Sequence, residues 1–210
     1  MITFSNAKII KPGFELYIGN IHIGPGLVLL RGQNGSGKST FLRALAGKEI
    51  LTDGSLELQS QLRLGYVPQH YKEVLQPWLS GWSNLNLLRG PSYTMARRLR
   101  QMGFPLQDLR KRPKQLSGGQ CQRIAVVREL HAPSDVLLLD EPFSGMDSLS
   151  AKKTWAFFLD HVMRDNRKTI LIATHLLPDD AMVRREVKEI VFTRNREDRA
   201  YLEMRDTFQL

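Results

Sequence analysis

The sequence predicts an α/β protein with a mostly parallel sheet, an N-terminal antiparallel β subdomain and an inserted helical subdomain. Three observations predict it. Short apolar runs at residues 27–30, 136–139 and 169–173 are strand-sized and lack alternation, as strands buried on both faces do. Residues 39–46 and 148–164 have helical composition and spacing, so strands and helices alternate. Between residues 78 and 130 no strong strand pattern occurs, and residues 93–102 and the stretch after Gly118 have helical spacing.

In chain order, residues 2–10 and 14–23 read as two strands around the turn Lys11-Pro12-Gly13, and Gly24-Pro25-Gly26 is a second turn. The run Leu27-Val28-Leu29-Leu30 leads into a glycine-rich loop at 32–37. The helix over 39–46 stops at Gly47, a suitable residue just past a helix end. Residues 56–58 and 63–67 are further short strands. Residues 188–193 and 200–205 form a closing hairpin around 194–199. We divide the chain as one domain, 1–210, with a β-containing lobe over about 1–75 and 135–210 and a helical lobe over about 76–134.

Composition narrows the function. The 210 residues suffice for a core without staples, and Lys+Arg 30 against Asp+Glu 21 gives a net charge of +9. Hydrophobic content of 42% and charged content of 24% exclude a disordered or fibrous chain. One cysteine, Cys121, excludes a disulfide framework and an all-cysteine metal cage, and fits a reducing cytosolic setting. We expect it to be an ordinary helix residue. No run reaches membrane-span length, and the first residues lack the pattern of a secretory signal.

Gly32-Gln33-Asn34-Gly35-Ser36-Gly37-Lys38-Ser39 fits the phosphate-loop pattern G-x-x-x-x-G-K-[ST], with Thr40 next in line. Glycines let successive backbone N–H groups turn toward phosphate oxygens, and the following helix adds its positive end. Lys38 supplies a cation, and the Ser39 hydroxyl suits Mg²⁺. Val136-Leu137-Leu138-Leu139-Asp140-Glu141 is an apolar strand ending in two carboxylates. Asp140 suits the Mg²⁺ shell and Glu141 the polarisation of a water. In Leu116-Ser117-Gly118-Gly119-Gln120, Ser117 is a good helix cap before two glycines. The exposed amides there make a second anion site. One nucleotide needs one phosphate loop, so a second site implies service to another chain's phosphate.

Taken together these segments resemble the ATP-binding cassette family, specifically the nucleotide-binding subunits of ABC transporters. The resemblance covers nearly the whole chain, with six motifs in the family's order. They are the phosphate loop, Gln69 in Tyr66-Val67-Pro68-Gln69, the signature at 116–120, the Asp140–Glu141 strand end, Asp147 in Ser144-Gly145-Met146-Asp147, and His175 in Ala173-Thr174-His175. The resemblance implies a P-loop NTPase, RecA-like core and ATP hydrolysis with ATP and Mg²⁺ as cofactors. It implies catalytic roles for Glu141, His175 and Lys38, and Mg²⁺ contacts for Ser39, Gln69 and Asp140. Nucleotide contacts fall to Gly32–Thr40, Gln69, Ser117, Gly118, Gly119, Gln120 and, across a dimer interface, Asp147. An aromatic ring usually stacks on adenine, and Phe14 is the candidate, with a core position in the first hairpin the alternative.

The same resemblance implies a head-to-tail partner, a second copy or a paralogue, and integral membrane permease subunits. The chain would lie on the cytoplasmic face of the membrane, held by those partners and not by direct lipid contact. Trp78 and Trp82 follow Gln69 where the family receives a membrane subunit, with core packing as the plain alternative. The basic run Arg97, Arg98, Arg100, Arg110, Lys111, Arg112 and Lys114 reads best as a solvated face. Import of a small solute is favoured over export, from Pro77-Trp78-Leu79-Ser80 and Glu141-Pro142-Phe143-Ser144. The regulatory C-terminal domain of some importer ATPases is not expected. The competing expectation is a soluble ABC-type ATPase working without a membrane partner, as an assembly factor or on nucleic acid or ribosomes. The +9 charge invites the latter. Direct nucleic-acid binding is not expected, because the phosphate loop and signature are too close in sequence for the long coiled-coil insertion of the DNA-repair relatives.

Overall fold

A computed structural model describes residues 1–70, 74–87, 93–164, 167–176, 187–195 and 198–205, with the side chains of 161–164 left aside. Among these residues nine strands form one continuous sheet. In chain order the elements are β1 (Ile2–Lys11), β2 (Phe14–Ile23), β3 (Gly26–Gly32), α1 (Lys38–Leu45), β4 (Asp53–Leu58), β5 (Leu64–Val67), α2 (Gly81–Leu85), α3 (Tyr93–Gln101), α4 (Gly118–His131), β6 (Val136–Asp140), α5 (Ser148–Arg164), β7 (Thr169–Ala173), β8 (Val187–Arg194) and β9 (Arg199–Arg205). Among the described residues two short 3₁₀ turns, Leu106–Arg110 and Pro113–Gln115, precede α4.

The strand order is β4-β1-β2-β9-β8-β3-β7-β6-β5. Strands β8, β3, β7, β6 and β5 run parallel. Strand β1 pairs antiparallel with β2 and β4, and β8 pairs antiparallel with β9. The predicted α/β class and its N-terminal antiparallel strands are thus present. The β1–β2 unit is not a separate sheet, because the parallel pairing of β2 with β9 welds it to the core. Of the predicted 194–199 turn, residues 196 and 197 lie outside the described residues.

The apolar runs have no polar alternation because the sheet is covered on both faces. Alternate residues of one strand serve two different cores. Leu27 and Leu29 of β3, Leu137 and Leu139 of β6, and Ile170 and Ile172 of β7 pack toward α3, α4 and α5. Val28, Leu30, Val136, Leu138, Leu171 and Ala173 pack on the opposite side with α1, β1 and β2. There Phe41 of α1 meets Phe4 at 5.2 Å and Phe192 edge-on at 5.7 Å between centroids. Full burial of one such side chain contributes about 1.5–3 kcal/mol, so the two cores hold the sheet rigidly. Cys121 is buried in α4 with its thiol near the Pro113 carbonyl at 3.5 Å, an ordinary helix position.

Register aligns the carboxyl ends of neighbouring strands. Leu30 lies beside Ala173, Ala173 beside Asp140, and Leu139 beside Val67. Everything that follows β3, β7, β6 and β5 therefore emerges along one edge, where open parallel sheets place ligands.

Candidate functional site

Four adjacent strand ends supply the site. The phosphate loop follows β3, His175 follows β7, Asp140 and Glu141 end β6, and Gln69 follows β5. They surround a cleft of about 690 Å³ lined by Asn34–Thr40 of the loop, Gln69, Glu141, His175 and the 143–146 segment. Gly32 and Gln33 stand at the loop's base, not in the lining.

The loop is held by its own lysine. Lys38 Nζ donates to the carbonyls of Gly32 at 2.8 Å and Gln33 at 3.0 Å. Gly37 precedes α1 at φ 104°, a conformation that disfavours any side chain, and no side chain caps the helix. A Cβ at Gly37 would also meet the Phe14 ring at 3.0 Å and Leu16 at 2.8 Å. The first N–H groups of α1 are left for a ligand in the cleft. Ser36 is buried, and its hydroxyl has no protein partner. Burial pulls the Lys38 ammonium below the ordinary lysine range, against the opposing charges of Glu141 and Asp140.

The acidic pair occupies the end of β6. Asp140 is 3% exposed and accepts a 3.0 Å hydrogen bond from the Ser39 hydroxyl. Burial lifts its carboxyl above the usual range, with Ser39, Lys38, His70 and Arg43 pulling it down. Glu141 donates its own N–H to the Ala173 carbonyl at 2.8 Å, then turns left-handed at φ 48°. That conformation, costing about 1–3 kcal/mol for a non-glycine residue, lifts its side chain out of the strand path. Its Oε1 lies 3.3 Å from His175 Nε2 without making a hydrogen bond. Burial raises the Glu141 carboxyl also, against His175 and Lys38.

The hard oxygen donors of Ser39, Asp140 and the Gln69 side chain fit Mg²⁺, which prefers such ligands together with phosphate. The buried carboxyl of Asp140, with the Ser39 hydroxyl as its donor, fits a cation at this place. Phe14 lines the cleft at the side of Gly37, half-buried, with the Arg194 guanidinium 5.6 Å over its ring.

Ser117, Gly118, Gly119 and Gln120 do not line this cleft. Ser117 caps α4: its hydroxyl accepts from the Gln120 amide at 3.2 Å, and Gln120 Oε1 accepts from the Ser117 amide at 2.9 Å. Gln120 Nε2 donates to Asp108 at 2.7 Å, so the glutamine is committed inside its own chain. Ser117 and Gly118 are exposed, whereas Gly119 is pressed against the 144–147 loop. A Cβ on Gly119 would stand 2.5 Å from the Gly145 carbonyl oxygen. Asp147 also stays outside the cleft. Its side chain accepts from the Ser150 amide at 2.9 Å and caps the start of α5. Hydrogen bonding from Ser150, by its hydroxyl first and its amide second, holds the Asp147 carboxyl below the usual range.

Several site-positioning residues escaped the sequence analysis. Trp155 of α5 donates to the Leu176 carbonyl at 3.1 Å and stacks on Phe143 at 4.6 Å. It thereby ties the segment after His175 to the segment after Glu141. Arg194 donates to the Gly35 carbonyl at 3.3 Å and so touches the phosphate loop. Asn84, fully buried, brackets residues 76–80 through bonds to Gln76 and the Leu79 and Ser80 carbonyls. That clamp leaves Trp78 66% exposed, so the core-packing alternative fails for it, while Trp82 packs partly against the core. Of these, only Trp78 and Trp82 carried a sequence signal.

Sheet, loop and cleft define a P-loop NTPase fold. The chain belongs to the ABC transporter family, whose family model, described as "ABC transporter", matches residues 20–144. It is 36% identical over 177 residues to the aliphatic sulfonates import ATP-binding protein SsuB 3 of Nocardia farcinica, covering 80% of this chain and 69% of that protein. It is 32% identical over 178 residues to the aliphatic sulfonates import ATP-binding protein SsuB of Bacillus subtilis, covering 80% of this chain and 69% of the relative. An uncharacterized ABC transporter ATP-binding protein of Haemophilus influenzae is 37% identical over 70% of this chain and 63% of its own length. The chain thus spans about two thirds of the length of these relatives. Among solved structures, a dimeric ATP-binding cassette with ADP and Pi superposes over 100% of both chains at TM-score 0.73 and 22% identity. An RNase-L inhibitor superposes over 96% of this chain and 39% of its own at TM-score 0.78 and 24% identity. Both likenesses concern the fold. Among the described residues no helix is long and apolar enough to cross a membrane.

Proposed function

We propose that this chain is the ATP-hydrolysing subunit of an ABC importer, working as a head-to-tail pair against membrane permease subunits. One observation carries the proposal: the phosphate loop, Glu141 and His175 share a cleft, while the signature helix start is exposed outside it. A second chain, the same or a paralogue, would present its Ser117–Gln120 segment to the γ-phosphate. The β lobe (1–75 and 135–210) would carry the nucleotide and the helical lobe (76–134) the signature.

In this scheme Lys38 gives up its loop carbonyls for β- and γ-phosphate oxygens, which restores the charge that burial disfavours. The Glu141 carboxylate accepts a proton from the attacking water, and His175 orients that water beside the γ-phosphate. Ser39, Asp140 and Gln69 would hold Mg²⁺, which offsets charge on the phosphates. Phe14 stacks on the adenine. Asp147 keeps the 144–147 loop in place at the dimer interface.

The relatives named for aliphatic sulfonate import support a small organic anion as cargo. The exposed Trp78 supports a docking surface for a membrane subunit, with the chain peripheral on the cytoplasmic face. The test is purification of the tagged chain in mild detergent from its native membranes, with partners identified by mass spectrometry. Stoichiometric recovery of an integral membrane subunit is expected. Recovery only from the soluble fraction would overturn the transporter assignment in favour of a soluble ABC-type ATPase.

A further inference from the structure

Arg123 is a buried charge that the proposed mechanism leaves unused. It lies on α4, 8% exposed, and its Nε and Nη1 have no hydrogen-bond partner among the described residues. Burial pulls its guanidinium below the ordinary arginine range, and the charge acting the other way is that of Asp147. A buried guanidinium without a partner is costly, and native folds satisfy nearly all such groups.

Its place on the helix shows what would complete it. Arg123 stands four residues beyond Gly119, about one turn, so the two share a face of α4. Gly119 is the residue that abuts the 144–147 loop, where a Cβ would stand 2.5 Å from the Gly145 carbonyl oxygen. Asp147 ends that loop. It is exposed, and its carboxylate is committed to Ser150 at the start of α5. Helix and loop therefore touch through the backbones of two glycines. One charge from each lies nearby, close enough to act on the other without closing an ion pair.

We propose that Arg123 and Asp147 form an ion pair in the ATP-closed pair of chains, locking the signature helix to the 144–147 loop. The ion pair rests on the proposed head-to-tail arrangement. In the single chain Asp147 caps α5 and Arg123 stays unpaired. When a partner's phosphate is drawn onto the start of α4, the helix shifts against the loop. Asp147 then exchanges its Ser150 contacts for the guanidinium. Arg123 is a positioning residue in this scheme: it touches no nucleotide and acts through the loop that joins Glu141 to α5. Occupancy of the partner's site is thereby passed to Glu141 of this chain's own site. The unpaired charge disfavours the open state, and the ion pair favours the closed one.

The test measures ATP-driven dimerisation by sedimentation velocity in the Glu141→Gln background, where ATP persists. Arg123→Met keeps the apolar stem and deletes the charge. Asp147→Asn deletes the other charge and keeps a side chain that caps a helix. Each should weaken the dimer about tenfold or more, and the double variant no further than the worse single, because both remove the same ion pair. Arg123→Lys, which restores the charge, should recover part of the loss. Without ATP, Arg123→Met should leave the urea midpoint unchanged or raised, since it removes an unpaired buried charge. Its nucleotide affinity should stay within about twofold, which certifies the fold. A lowered midpoint, unchanged dimerisation, or losses that add in the double variant would each overturn the ion pair while leaving the head-to-tail arrangement standing. A Glu141→Gln chain that stays monomeric with ATP would overturn that arrangement, and the ion pair with it.

Discussion

The phosphate loop and the signature are both glycine-rich turns that open a helix, yet the fold treats them in opposite ways. The first leaves α1 with a left-handed Gly37 and no side-chain cap, deep beside Lys38, which is 6% exposed. The second closes α4 with a reciprocal Ser117–Gln120 cap and leaves Ser117 on the surface. An uncapped helix start inside a cleft, with a cation and two carboxylates around it, is a site within one chain. In the proposed function, the capped start on the surface is half of a site whose other half comes from a second chain. The signature is not isolated from the cleft, however, because Gly119 abuts Gly145 and Gly145 lines it. Closing a partner's phosphate onto Ser117 would therefore press on the loop between Glu141 and α5.

The largest effect should come from the first region. Glu141→Gln removes the proton acceptor while keeping size and polarity, and turnover should fall by about 10²–10⁴, the range for loss of a general base. Nucleotide binding should survive, and ATP should accumulate in a stable dimer visible by gel filtration. Unchanged hydrolysis would remove Glu141 from the role.

The comparison itself breaks or holds with a mixing experiment. Lys38→Ala disables a chain's loop, and Ser117→Arg blocks a chain's signature. Each variant alone should lose turnover by about a hundredfold or more, as expected when fixed donors to a developing charge are lost. Only Lys38→Ala should lose nucleotide affinity in the isolated chain. Mixed in equal amounts, the two should recover about a quarter of wild-type turnover, because half the dimers pair one intact loop with one intact signature. No recovery on mixing would place both segments in one chain's site.

Burial of Glu141 makes a pH prediction with a definite sign. Its carboxyl titrates above the ordinary 4.5, so the protonated, inactive form persists to higher pH. The acid limb of kcat/KM, which reports the free enzyme, should therefore lie above 4.5, and the residual activity of Glu141→Gln should lack it. The linkage runs the other way for stability. A raised carboxyl favours the folded state below its unfolded value, and that contribution is lost as pH rises through the folded one. A kcat/KM limb at or below the ordinary glutamate value would contradict the burial seen here.

Local signals and distant ones divided what the sequence could tell. The loop at 32–39, the runs that became β3, β6 and β7, and the Ser117 cap were all readable because each is written within a few consecutive residues. Strand β4 proved longer than its apolar tail, since Asp53 and Ser55 are paired with β1 around a register shift at Gly54, and all three are exposed. Helix α2 went unseen because its five residues are too few to show a period, although Ser80 caps it. The β2–β9 pairing joins residues some 184 apart and has no local trace. The same holds for Trp155, whose bond to Leu176 spans 21 residues, and for Arg194, which reaches Gly35 across 159. Asp147 shows a subtler limit: its place in a motif was legible, but its duty as a helix cap was not.

The smallest predicted effect is the sharpest on the contrast between the two turns. Ser117→Ala removes the hydroxyl that accepts from the Gln120 amide and leaves everything in the cleft untouched. Loss of such a cap costs about 1 kcal/mol of stability, measurable as a lower urea midpoint with an unchanged slope. Nucleotide affinity of the isolated chain should stay within about twofold, since no atom of Ser117 lines the cleft. No equivalent substitution exists on the other side. At Gly37 a serine would need φ 104° and would collide with Leu16 and Phe14, so a side-chain cap cannot be installed on α1. A serine cap competes with a phosphate for the same amides, and the geometry at Gly37 keeps those of α1 clear. If Ser117→Ala were instead to weaken nucleotide binding in a single chain, the signature would belong to that chain's own site, and the distinction between the two turns would collapse.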